Sequence, residues 1–100
     1  MASNKLTKAE IVETLIEKTQ FDKKEIHFIV DTIFEEIRAA LAGDKIVELR
    51  GFGTFEIRTR KGRSKARNPR TGEPVQVRDH GVTAFRPGKE LKESTWALRQ

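Results

Sequence analysis

Cysteine and tyrosine are absent from this chain of 100 residues, and tryptophan and methionine each occur once. The lack of cysteine excludes a disulfide framework and every thiolate metal site, so the fold has to hold by packing. Long apolar runs are missing as well. No stretch approaches the roughly 20 apolar residues of a membrane-spanning helix. The opening MASNKLTKAEIV has no apolar core of a secretory signal. These absences lead to an expected cytoplasmic location. No internal repeat or low-complexity segment is present. Hydrophobic residues make up 36% of the chain and charged ones 35%. At this length a single domain is expected over 1–100, with a small core built from apolar residues concentrated in a few places.

Positive charge is plentiful and unevenly placed. Residues 1–50 carry eight Lys/Arg against ten Asp/Glu, a net of −2, and residues 51–100 carry twelve against five, a net of +7, which together give the +5 of the whole chain. Seven cations (Arg58, Arg60, Lys61, Arg63, Lys65, Arg67, Arg70) fall within thirteen residues, with Glu56 and Glu73 at the edges. Such a cluster points to an anionic polymer, nucleic acid before membrane, because it has no apolar helical face to lie in a lipid interface.

Apolar periodicity divides the chain. Thr7 and Glu10 form a capping box, with Leu6 and Ile11 as its hydrophobic staple, ahead of Val12, Leu15 and Ile16 at helical spacing. Asp22 and Glu25, with Phe21 and Ile26, repeat the device before a longer helix that stops at Gly43. Residues 1–43 are therefore expected to form a helical hairpin. From Lys45 the period becomes two. Residues 44–60 and 75–86 are expected to form an antiparallel sheet with Phe55, Ile57 and Phe85 facing inward. Between them, residues 61–77 leave the body as a hairpin turning at Asn68-Pro69-Arg70-Thr71-Gly72. Pro87-Gly88 opens a last helix over 88–99.

The second helix has a wide apolar stripe and the sheet carries further aromatic area, while the cationic hairpin has nothing to cover either. An intertwined dimer, with Phe34, Phe52, Phe55 and Phe85 in its core, supplies the missing wall.

A two-stranded ribbon rich in Arg and Lys matches a nucleic-acid groove in width and the phosphates in charge. Arginine is favoured in narrow minor grooves, and a tip proline is a rigid apolar wedge with no N–H to leave unsatisfied. Pro69 occupies that tip. A turn signal alone, or a solvated charge run alone, is a weak indication; a charge run folded into a hairpin between apolar strands is a stronger one.

Four motifs in order, LTKAEIVETL, GFGTFE, RNPRTGE and VTAFRPGKELK, resemble the HU/IHF histone-like DNA-binding proteins of bacteria over nearly the whole chain. The resemblance implies an α+β, IHF-like DNA-binding fold, with a helical-hairpin base, an antiparallel sheet and an extended β-arm, assembled as an intertwined dimer. It implies an architectural, nucleoid-associated protein that bends and compacts double-stranded DNA, largely without regard to sequence, by inserting its arms in the minor groove and wedging a proline; HU and IHF are familiar cases of that mode. Pro69 matches the intercalating position. Arg58, Arg60, Lys61, Arg63, Lys65, Arg67, Asn68, Arg70, Arg78 and Arg86 match the DNA-facing set, and Lys8 and Lys89 stand near helix starts where phosphates of bent flanks could rest. The partner subunit is a second copy or a paralogue. The stretch from Phe55 to Arg67 is one residue longer than the common family pattern, and the last helix carries an additional ESTWALRQ, in which Trp96 and Leu98 are expected to pack on the body.

Other classes are weaker. His27 and Asp31 lie one helical turn apart but have no third ligand for a metal. Gly81 to Lys89 has the wrong glycine spacing for a phosphate loop, with Glu90 where a magnesium-binding hydroxyl belongs. No enzyme, cofactor, metal or small-molecule substrate is expected. An RNA reader needs exposed stacking aromatics, and the six Phe sit at core-like positions. A shape-selective bender of the IHF kind shares nearly all the same residues.

Overall fold

The computed structural model describes residues 4–99, without the side chains of residues 64–66 and 75. The elements are α1 (Lys8–Thr19), α2 (Lys23–Ala42), β1 (Val47–Leu49), β2 (Gly53–Arg60), β3 (Arg63–Arg67), β4 (Pro74–Val77), β5 (His80–Pro87) and α3 (Lys89–Thr95). The chain forms two compact units, Met1–Ala39 and Ala40–Gln100.

In the helical unit, the Thr7 hydroxyl accepts the Glu10 N–H at 3.3 Å and donates to the Glu10 carboxylate at 3.2 Å, which starts α1. Left-handed Gln20 (φ 59°) ends it, its N–H bonded to the Ile16 carbonyl. Val12 of α1 is buried with Ile26 and Val30 of α2, one turn apart, and Leu15 and Ile16 pack around them. Of the expected staple residues, Leu6 and Phe21 remain exposed, and the hydrogen bonds at the start of α1 come from Thr7.

The end of α2 carries a correction. Gly43 follows its last residue, but the left-handed position belongs to Asp44 (φ 60°). Lys45 N–H reaches back to the Ala40 carbonyl at 2.9 Å and Asp44 N–H to that of Leu41 at 3.0 Å, the paired bonds of a Schellman stop.

In the second unit, β1, β2 and β5 form an antiparallel sheet in the order β1-β2-β5, and β3 and β4 form a separate two-stranded ribbon. Phe55 lies opposite Phe85, with ring centroids 4.7 Å apart, and the Phe52 ring stands 5.3 Å from Phe85. Gly53 is buried and has to be glycine, because a β-carbon there would lie 2.5 Å from the Phe85 ring and 2.6 Å from the Arg86 carbonyl oxygen.

Two expected boundaries move. Residues 75–77 belong to the ribbon and not to the body sheet, since the ladder of β2 and β5 stops at Arg60 and His80 and pairing resumes only at Arg63 and Val77. The last helix stops at Thr95, four residues short of 99. There the Ser94 and Thr95 hydroxyls bond back to the Glu90 and Leu91 carbonyls at 2.9 and 3.0 Å, the local competition that weakens a helix end. Trp96 is 74% exposed and Leu98 is exposed, so neither is buried in the body as expected.

Apolar faces stay open in both units. On α2, Phe28 is 71% and Phe34 46% exposed, with Ile29 and Ile33 between them, and Lys24, Glu25, Phe28 and Ile29 line an open depression of about 400 Å³. On the strand unit, Phe52 is 47% and Phe85 37% exposed.

Candidate nucleic-acid interface

The ribbon ends in a turn that its own polar groups hold. Asn68 N–H donates to the Glu73 carbonyl at 2.8 Å, and the Asn68 carbonyl accepts the Gly72 N–H at 2.7 Å. The Asn68 side-chain oxygen accepts the Arg70 N–H at 2.9 Å, and left-handed Gly72 (φ 73°) carries the chain back. Arg67 braces the turn, its guanidinium donating to the Gly72 carbonyl at 3.0 Å. Pro69 stands exposed at this tip and needs no hydrogen-bond partner at its nitrogen. Asn68 and Arg67, both singled out from sequence as DNA-facing, thus also build the turn that presents the proline.

Cation placement along the ribbon follows from register. Arg63 pairs with Val77 and Arg67 with Pro74, with a register shift between Arg63 and Ala66, so three steps on β3 match two on β4. This shift falls within the stretch from Phe55 to Arg67 that is expected from the sequence to be one residue longer than the family pattern. Paired residues share a face and successive residues change face. Pro74 and Val77 are three apart, so Arg63 and Arg67 stand on opposite faces of the ribbon. An unbulged strand would have put both on one. The Lys65 side chain is outside the described ones.

Nearer the body, Arg58 pairs with Val82, Arg60 with His80, Thr54 with Arg86 and Glu56 with Ala84, which gathers Glu56, Arg58, Arg60 and Arg86 on the sheet face opposite Phe55 and Phe85. Glu56 is central: one carboxylate oxygen accepts from Arg86 at 2.8 Å and from Arg58 at 3.3 Å. Lys61 and Arg78 lie in the unpaired junction between sheet and ribbon, and Arg70 in the tip; all three are exposed.

Lys8, the first residue of α1, is bonded to Asp31 at 2.8 Å. That hydrogen bond first of all holds the Asp31 carboxyl below the ordinary carboxylate range; desolvation opposes it, and the charges of Lys8 and His27 add to the lowering. Lys89 opens α3, where the Gly88 N–H is already donated to the Phe52 carbonyl at 2.8 Å. Sequence reasoning named these cations and missed their acidic partners. The Glu56–Arg58 contact has a readable signal, two residues of one strand on one face; the Arg86 and Asp31 contacts depend on pairing across elements.

A family model described as bacterial DNA-binding protein matches residues 6–95. The chain is 46% identical over 87 residues to integration host factor subunit alpha of Pseudoalteromonas translucida, covering 87% of each. It is also 46% identical to that of Pasteurella multocida, covering 87% of this chain and 88% of that one. Among solved structures it is similar to Anabaena HU in a cocrystal with DNA, with a TM-score of 0.82 and 35% identity over 92% of this chain and 99% of that one. It is similar as well to HU from Thermotoga maritima, with a TM-score of 0.63 and 31% identity over 90% and 98%.

Proposed function

From the premise that this chain belongs to the bacterial DNA-binding protein family of HU and integration host factor, whose members are architectural proteins and not enzymes, we propose that its arm enters the minor groove of duplex DNA and that Pro69 wedges a base step open to bend it. The observation that carries this is the exposed proline on a turn braced by Asn68, Gly72 and Arg67, at the end of a ribbon lined with arginine. Arg58, Arg60, Lys61, Arg63, Lys65, Arg70, Arg78 and Arg86 neutralise phosphates along the arm and its root, and Lys8 and Lys89 do so at the body. With Arg63 and Arg67 on opposite faces, one ribbon meets phosphates on both walls of a groove. The apolar faces on α2 and around Phe52 and Phe85 close against a second subunit, since burying them in a dimer removes apolar area that a stable monomer rarely leaves wet. The protein then works in the cytoplasm, on the nucleoid.

In this proposal binding is largely independent of sequence, because phosphate contacts and a proline wedge read no base edges. A second reading, a shape-selective bender paired with a different subunit, is favoured by the 46% identity to an integration host factor alpha subunit. Competition among random duplex, nicked or kinked duplex and RNA, with subunit stoichiometry measured in parallel, tests both. Preference for kinked duplex without preference for sequence supports the first reading; a strong preference for one duplex sequence supports the second. Tighter binding to RNA than to any duplex refutes both. Within the first, Pro69→Ala lowers the bend seen by end-to-end fluorescence transfer more than it lowers affinity.

A further inference from the structure

Between sheet and ribbon the ladder is broken on both strands. Arg60 and His80 form the last pair of the body, Arg63 and Val77 the first pair of the ribbon, and Lys61-Gly62 and Arg78-Asp79 lie between without strand partners. A two-stranded connection with two unpaired residues on each side is a natural flexing point, because each N–H that loses its carbonyl must find another acceptor or water. Here a side chain takes over. The Asp79 carboxylate accepts the Gly62 N–H at 2.7 Å across the break. Residue 62 is at the same time held against the opposite strand: a β-carbon at Gly62 would overlap the Val77 carbonyl oxygen. The His80 ring nitrogen adds a contact to the Arg78 carbonyl at 2.8 Å.

An aspartate in this place is otherwise unfavourable to the proposed activity. It sets a negative charge among Arg60, Lys61, Arg63 and Arg78, where phosphates are to bind. We infer that Asp79 is a positioning residue, a latch whose carboxylate replaces the missing strand carbonyl and fixes the direction in which the arm leaves the body before DNA is met. The inference rests on the DNA-bending function proposed above. A latched arm loses less freedom on binding than a loose one, so the latch acts on affinity through preorganisation and not through contact.

Two substitutions with the same charge isolate the hydrogen bond: Asp79→Asn keeps an acceptor oxygen and Asp79→Ala removes it. Each full-length variant is measured for Gly62 amide exchange without DNA, then for affinity and end-to-end fluorescence transfer on a short duplex at fixed salt. The latch predicts that Gly62 stays protected in Asp79→Asn and loses protection in Asp79→Ala. It also predicts that Asp79→Ala binds about fivefold more weakly than Asp79→Asn, the factor corresponding to ~1 kcal/mol of lost hydrogen bonding, with a smaller mean bend. Gly62→Ala, which forces the strands apart, should resemble Asp79→Ala. Equal amide exchange, affinity and bend in the two Asp79 variants overturns the latch while leaving DNA bending intact. A wild-type protein that binds duplex DNA without bending it instead overturns the function on which the latch rests.

Discussion

Glu56 is the residue whose removal should strengthen DNA binding. Its carboxylate oxygen holds Arg86 at 2.8 Å and Arg58 at 3.3 Å, its side chain is 20% exposed, and the two arginine side chains are more than half exposed. For those guanidiniums to reach phosphates both contacts have to be given up. Exposed ion pairs are worth ~0–1 kcal/mol each. Weighting the short contact well above the long one gives a release cost of about 0.5–1 kcal/mol per chain, a factor of roughly two to five in affinity. In a dimer engaging both chains the Glu56→Gln variant should therefore bind a short duplex about 4- to 25-fold more tightly at fixed ionic strength. Fluorescence anisotropy titrations at several salt concentrations measure this, and thermal unfolding should show a stability loss of no more than about 1 kcal/mol. Weaker binding by Glu56→Gln would refute the reasoning, because it would mean that the carboxylate aims the arginines and does not compete for them.

Three further outcomes are expected. Gly53→Ala places a β-carbon 2.5 Å from the Phe85 ring and 2.6 Å from the Arg86 carbonyl oxygen; the ring can shift but the backbone cannot, so a urea midpoint should report a loss of roughly 1–3 kcal/mol. Asp44→Gly relieves a left-handed residue at the stop of α2 and should stabilise the fold, seen as a higher melting temperature, by less than the ~1–2 kcal/mol that an ordinary side chain costs there, since Asp tolerates the conformation. Asp31, depressed by its hydrogen bond to Lys8, should titrate below the ordinary aspartate value in carboxyl NMR and return toward that value in Lys8→Ala. With the folded value lowered, its contribution to stability is present above the ordinary carboxylate range and is lost as pH falls through the folded value.

Local signals carried far into this fold. The Thr7 cap, the helical spacing of Ile26 and Val30, the alternation through Phe55 and Ile57, and the turn chemistry of Asn68 to Gly72 all act over a few residues, and each is where its sequence spacing puts it. What could not be read involves competition between distant groups or between near-equivalent local ones. Gly43 looked like the stop of α2, yet the backbone put the left-handed turn on Asp44 one step later. The end of α3 depended on whether the Ser94 and Thr95 hydroxyls bond to carbonyls behind them, which helical periodicity through Leu98 does not encode. A one-residue excess between Phe55 and Arg67 was visible as a length, but its effect on facing was not, because only the pairing partner tells where an extra residue is absorbed.

The same bulge links charge to geometry. An arm with all its arginines on one face would neutralise one line of phosphates and leave the other wall of the groove bare. It would also crowd like charges at alternate positions, where repulsion opposes strand pairing. Dividing Arg63 and Arg67 between the faces relieves both problems at once. The remaining self-repulsion is met by acids placed at the arm's two ends: Glu56 at the root, shared by Arg58 and Arg86, and Glu73 beside the tip, whose backbone carbonyl also secures Asn68. A cationic ribbon braced this way still carries charge free to gain from the phosphates it meets, and the affinity so gained must fall as salt rises.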